Sequence, residues 1–124
     1  MDNRSNQGQL TFSKEERITH KGDIEKLFIS GKKLNLFPFD IRYYSGNMGS
    51  INKVLISVSK KNIKSAVKRN LLKRRIRESY RLNKKQLSNS GYSIAIIYVD
   101  NKILKFKQID DFIKKVLKNI SKNG

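Results

Sequence analysis

The chain has 124 residues, 37% of them hydrophobic, a formal net charge of +18 and no cysteine. That is the length of one domain with a thin core, a cation excess that points to a polyanionic partner, and a composition that excludes disulfides and thiolate metal sites. No apolar run approaches the ~20 residues of a membrane span, and the first residues lack the apolar stretch of a signal peptide, so a cytoplasmic protein without membrane contact is expected.

In chain order, residues 1–13 are polar and read as a flexible basic and polar arm, with Leu10 and Phe12 as its large apolar anchors; residues 14–124 read as one domain. From Arg17 the pattern becomes helical. Ile24, Leu27 and Phe28 keep i, i+3, i+4 spacing, Asp23 falls in the first turn, and Gly31 suits a C-terminal stop. Phe37 to Tyr44 alternates Phe39, Ile41 and Tyr43 against Asp40, Arg42 and Tyr44, the pattern of a half-buried strand, with Pro38 at its start or edge. Ser45 to Ser50 reads as a hairpin loop. Lys53 to Ser59 is a second strand, with Val54, Ile56 and Val58 on one face and Lys53, Leu55, Ser57 and Ser59 on the other.

The stretch Ser65 to Lys85 predicts a helix capped by the Ser65 hydroxyl. At roughly 100° per residue, Arg69, Lys73, Arg77 and Arg81 succeed one another at i, i+4 with Asn70 and Arg74 beside them, an arc expected to hold no acid. Val67, Leu71, Leu72 and Ile76 are expected on the docking side, flanked by Lys68 and Arg75. Like charges at i, i+4 repel, so a ridge about 18 Å long at 1.5 Å per residue without compensating carboxylates marks a surface for an anion. Arginine forks suit phosphate and base edges, and the neutral Asn70 suits a nucleic acid better than a lipid surface. Beyond a break at Asn89-Ser90-Gly91, Tyr92 to Val99 is apolar enough for a central strand. A last helix carries Ile109, Phe112, Ile113, Val116, Leu117 and Ile120 on one face, with Asp110 and Asp111 expected in its first turn.

The residues of a nuclease centre are missing from this pattern. Metal-dependent cleavage needs converging carboxylates, and none of the ten acids falls in a ligand motif. Metal-free cleavage wants an acid–base pair, and the single histidine, His20, reads as a surface residue. No Gly-rich phosphate loop is present. The expectation is an α+β domain that binds nucleic acid and has no catalytic centre or metal site of its own.

Ala66-Val67-Lys68-Arg69-Asn70-Leu71-Leu72-Lys73-Arg74-Arg75-Ile76-Arg77-Glu78 resembles the signature helix of the bacterial ribonuclease P protein component, Ala-Val-x-Arg-Asn-x-x-Lys-Arg-x-x-Arg-Glu, at every fixed position. The strand ending Ser57-Val58-Ser59-Lys60-Lys61 before it is also similar, and the likeness runs from about Arg17 to Ile120. It implies an αβββαβα two-layer sandwich with a small mixed sheet and a left-handed βαβ crossover, a ribosomal-protein-like fold; the usual handedness preference alone would give the opposite crossover. It further implies a protein subunit that binds a catalytic RNA and the 5′ leader of precursor tRNA, while the RNA removes the leader with Mg²⁺, and no obligate protein partner. Matching positions place Lys60, Lys61, Lys64, Lys68, Arg69, Asn70, Lys73, Arg74, Arg77 and Arg81 against the catalytic RNA. Helix packing and capping suffice to explain Ala66 and Glu78. The leader cleft is expected between the first helix and the sheet face away from the core, at Ile24, Phe28, Arg42, Tyr44, Lys53 and Ser57, with Asp40 and Leu55 on the same faces. The family often has Phe where this chain has Ile24 and Gly where it has Leu55, so Ile24 and Phe28 are as readily plain core. A ribosomal or general structured-RNA-binding protein is the alternative reading; a major-groove DNA reader lacks the short positioning helix before the basic one.

Overall fold

A computed structural model describes residues 13–46, 51–87 and 91–123, and its centre is a strand with almost nothing exposed. Ser93–Tyr98 (β4) is flanked on one side by Phe39–Tyr44 (β2) and on the other by Lys53–Val58 (β3), and Lys32–Leu36 (β1) completes a four-stranded sheet in the order β1-β2-β4-β3. β1 and β4 run antiparallel to β2, whereas β3 runs parallel to β4. A parallel neighbour needs a long connection, here the basic helix Ala66–Asn83 (α2) and a 3-10 turn at Lys84–Gln86.

The hairpin reading of Ser45 to Ser50 is therefore corrected. The described strands β2 and β3 are not paired, because β4 lies between them; residues 47–50 lie outside the described residues. The physical reason is the apolar run Ile94 to Ile97, which needs a strand on both edges and cover on both faces. The run Phe37 to Tyr44 also divides differently. Phe37 and Pro38, joined by a cis peptide, form the turn of a β1–β2 hairpin, and β2 begins at Phe39. β1 is the third strand that the family resemblance implied before the basic helix; the residue pattern alone does not place it, since Lys32-Lys33-Leu34-Asn35-Leu36 offers only two apolar residues and is largely exposed.

Alternation along the strands builds two apolar layers. Ile41, Val54, Ile94, Ile96 and Tyr98 face α2 and the last helix, Phe106–Asn123 (α3), which contributes Ile109, Ile113, Val116, Leu117 and Ile120 to the main core. On the opposite sheet face Ala95 is covered by Leu27 of the first helix, Lys21–Ser30 (α1), and by Ile18, with Ile24, Tyr44, Leu55 and Ile97 packed around them. The helical reading from Arg17 starts too early. Arg17 bridges Val54 beside β3, and the helix begins only at Lys21. Gly31 ends α1 in an extended conformation; a Cβ there would lie 2.3 Å from the Leu27 carbonyl oxygen, so close approach is what requires glycine.

α2 is capped as expected, the Lys68 amide donating to Ser65 Oγ at 3.3 Å. Its docking face is rotated from the one expected. Leu72, Ile76, Ser79 and Tyr80 are buried, Leu71 is half-buried, and Val67 is 79% exposed. The polar Ser79 belongs inward because α3 meets it there: Asp110 accepts from Ser79 Oγ at 2.7 Å and Asn83 Nδ2 at 2.8 Å, and pairs with Lys114 at 3.2 Å. Burial alone would raise the Asp110 carboxyl; the bonds from Ser79, Asn83 and Lys114 more than offset that, and its pKa is lowered. Asp110 and Asp111 lie beyond the first turn, because α3 starts at Phe106. At the C-terminal cap of α2, next to Asn83, Lys84 grips both oxygens of Glu16 at 3.0 Å and ties the N-terminal 3-10 turn Lys14–Glu16 to the helix. Burial first and Glu16 second push the Tyr80 phenol far above its ordinary range.

Candidate nucleic-acid interface

With Leu72, Ile76 and Tyr80 turned inward, the solvent arc of α2 carries Asn70, Arg74 and Arg77, all exposed, with Lys73 half-buried at its margin. None of these four has a side-chain partner among the described residues. The loop before the helix adds exposed Lys60, Lys61 and Lys64, and Lys68 is exposed on the first turn. A cluster of unpaired cations on one rigid face raises the local potential for a polyanion over a distance set by the ~8–10 Å Debye length.

Two of the expected ridge residues are differently employed. Arg69 is half-buried and donates through Nη1 to the carbonyls of Ile63 and Lys64 at 2.9 and 2.8 Å. It braces the lysine loop against the helix. Arg81 is paired with Glu78, Nη2 to Oε2 at 2.6 Å and Nε to Oε1 at 3.0 Å. That hydrogen bond holds the Glu78 carboxyl below its ordinary pKa against a smaller opposing effect of burial, and raises Arg81. The arc is thus acid-free over Asn70, Arg74 and Arg77 and compensated at its C-terminal end, a correction to the continuous ridge. The flank of the same helix also carries the exposed Val67 and Leu82.

On the outer sheet face the register aligns three rows: Asp40–Ile97–Ser57, Arg42–Ala95–Leu55 and Tyr44–Ser93–Lys53. α1 covers part of it. Ile24 and Leu55 pack against the Leu27–Ala95 cluster and serve as core, whereas Phe28 is 41% exposed. Arg42 is held from several sides. Its guanidinium lies 5.3 Å from the Phe28 ring centroid, Nη1 donates to the Phe28 carbonyl at 3.4 Å, and Nε stands 3.7 Å from Asp40 Oδ1. Those last two atoms are buried and face each other just beyond hydrogen-bonding reach. Lys26 Nζ sits 4.7 Å from the Tyr44 ring centroid. Lys53 and Ser57 are half-buried on the strand opposite. The structure therefore brings Phe28, Arg42 and Tyr44 together with Asp40, and leaves Lys53 and Ser57 across β4 from them.

Sequence reading missed Lys26, Lys33 and Asn35. Lys33 and Asn35 pair with Arg42 and Asp40 in the β1–β2 ladder and share their face; identifying β1 from its Leu34/Leu36 alternation would have found both. Nothing in the sequence ties Lys26 to Tyr44. Among the described residues no three acidic or histidine side chains gather as a metal site, and no helix is long and apolar enough to cross a membrane.

Comparison with known proteins converges on one family. The Ribonuclease P family model matches residues 12–121. The ribonuclease P protein component of Porphyromonas gingivalis is 33% identical over 120 residues, covering 90% of this chain and 88% of that one. Among solved structures, the Staphylococcus aureus RNase P protein superposes with a TM-score of 0.74 at 27% identity, covering 85% of this chain and 94% of that chain. The RNase P protein from Thermotoga maritima does so with a TM-score of 0.73 at 27% identity, covering 84% and 96%.

Proposed function

The chain belongs to the ribonuclease P protein family, and from that premise we propose that it is the protein subunit of ribonuclease P, gripping the catalytic RNA with α2 and the 5′ leader of precursor tRNA with the outer sheet face. The observation that carries the reading is the acid-free exposed arc of Asn70, Arg74 and Arg77, continued by Lys60, Lys61, Lys64 and Lys68 in the loop that Arg69 braces. Unpaired arginine forks meet phosphate bidentately, and each neutralised phosphate releases counterions, so affinity rises as salt falls. Lys73 supports the arc; Arg81 is a weaker contact because Glu78 competes for it.

The outer face suits a single strand. Phe28 and Tyr44 are aromatic platforms with cations already over them, and Lys53, Ser57 and Lys33 supply polar contacts along the backbone path. Ile24 and Leu55 set the depth of the cleft floor instead of stacking on a base. The Mg²⁺ for hydrolysis is assigned to the RNA, as the family resemblance implies. The protein's part is binding and orientation of both RNAs. A cytoplasmic location accompanies this role.

Reconstitution tests the proposal. RNA-free protein should leave precursor tRNA intact at any Mg²⁺ concentration, and addition of the cognate ribonuclease P RNA should give cleavage at the mature 5′ end at a lower Mg²⁺ requirement than the RNA alone. Cleavage by protein pretreated with nuclease, or an RNA indifferent to the protein, would overturn it.

A further inference from the structure

Beside the start of α2, between the loop Ser59 to Ser65 and the loop after β4, lies a depression of about 320 Å³. Ile63, buried, and Ile103, packed against the main core, give it an apolar floor. Asn62, Lys64 and Lys68 line one side and Asn101 the other.

Both walls are fixed by bonds that leave those four side chains unused. On the first wall the amides of Asn62 and Ile63 donate to the Ser59 carbonyl at 3.2 and 3.0 Å, and Arg69 holds the carbonyls of Ile63 and Lys64. On the second, Asp100 Oδ1 accepts from the Asn101 and Lys102 amides at 2.7 and 3.3 Å, and Tyr98 Oη donates to the Lys102 carbonyl. The carboxamides of Asn62 and Asn101 and the ammonium groups of Lys64 and Lys68 have no partner among the described residues.

Resting on the reading of α2 as the face for the catalytic RNA, we propose that this depression receives one unpaired nucleotide of that RNA, its base on the Ile63–Ile103 floor, its edge read by Asn62 and Asn101, and its phosphates held by Lys64 and Lys68. The volume sits at the low end of small-ligand pockets, roughly 300–1,000 Å³, which admits one nucleotide and no duplex. A phosphate-only contact has no use for two carboxamides over an apolar floor. A splayed base uses all three features, because it brings a flat apolar face, an edge of donors and acceptors, and a flanking charge. Walls already held in place reduce the ordering cost of taking it.

Crosslinking and energetics together test the assignment. The chain has no cysteine, so Asn101→Cys gives a single thiol for a photo-crosslinker in the full-length protein assembled with transcribed ribonuclease P RNA. One unpaired nucleotide should be labelled. Removing that base should weaken assembly about tenfold, the scale of a base contact, and the double substitution Asn62→Ala with Asn101→Ala should do the same. Combining the two should add little, since both remove one interaction. The asparagine pair should leave the salt dependence unchanged, while Lys64→Ala with Lys68→Ala lowers it. Labelling spread over many or paired nucleotides, or fully additive losses, overturns the proposal. Arg74→Ala in the same assay separates the two levels. If it binds RNA as tightly as the parent, the reading of α2 itself fails. If it weakens binding while the asparagine pair, melting at the parent's temperature, does not, only the nucleotide pocket fails.

Discussion

Two surfaces of this molecule carry arginine toward solvent, and they use it in opposite ways. On α2, Arg74 and Arg77 have no side-chain partner among the described residues. On the outer sheet face, Arg42 is spent inside the protein, on the Phe28 ring and carbonyl and opposite Asp40. An unpaired cation on a helix must be neutralised from outside, so its contribution is long-ranged and salt-sensitive. A braced cation beside a carboxylate has little net field left and works by contact, against the Phe28 ring and its carbonyl. Nominal charge therefore misstates the difference between the surfaces, and pairing decides it.

The strongest break in that comparison is charge reversal on the unpaired surface. Arg74→Glu with Arg77→Glu should cost about a hundredfold or more in affinity for the catalytic RNA, taking roughly 1–3 kcal/mol for each lost arginine contact. The loss should be equal for precursors with long or one-nucleotide leaders. Filter binding across a salt series checks it, and Arg81→Ala should lower the salt slope by less than Arg77→Ala because Glu78 already pairs with it.

A second experiment changes what holds the basic helix while leaving its charges alone. Asp110→Ala deprives the buried Ser79 hydroxyl and Asn83 of their acceptor, and should destabilise the fold by about 2–3 kcal/mol. Because the folded pKa of Asp110 is depressed, its stabilisation is present above the unfolded carboxyl value near 3.8 and is lost as pH falls through the folded one. Urea midpoints of parent and Asp110→Asn should therefore converge in acid and separate toward neutral pH. A constant gap at every pH would show that packing, not the charge, makes the difference.

The smallest effect is expected on the braced surface. Arg42→Ala should assemble with the RNA normally and bind long-leader precursors severalfold less tightly, with little change for a one-nucleotide leader. Substrate titration with both leaders checks this, after assembly is measured separately. Equal loss for both leaders would mean that the groove beside Arg42 does not hold the leader. Asp40→Asn refines the result: releasing Arg42 from its carboxylate should make long-leader binding more salt-dependent.

Elements with a strong period were legible without coordinates. The Ser65 cap, the α3 stripe from Ile109 to Ile120, the two-faced β3 and the β4 run from Ile94 to Ile97 each carry their environment in their own spacing. The order Ala66 to Glu78 also carried the family. What escaped depended on neighbours remote in sequence. β1 exists because β2 offers it an edge, and β4 separates β2 from β3 because a strand buried on both faces needs both edges filled. Val67 lies outward and Ser79 inward because Asp110 of α3 meets the helix there, a contact across 31 residues of sequence. Arg69 turning back to Ile63 and Lys64, and Arg42 locked between Phe28 and Asp40, follow the same logic. Periodicity, residue order and net charge are properties of the chain, and they carried the strongly patterned helices and strands, the family and the sign of the partner's charge. Which cations remain available to that partner follows from folding, because pairing depends on what the folded chain places within a few ångströms.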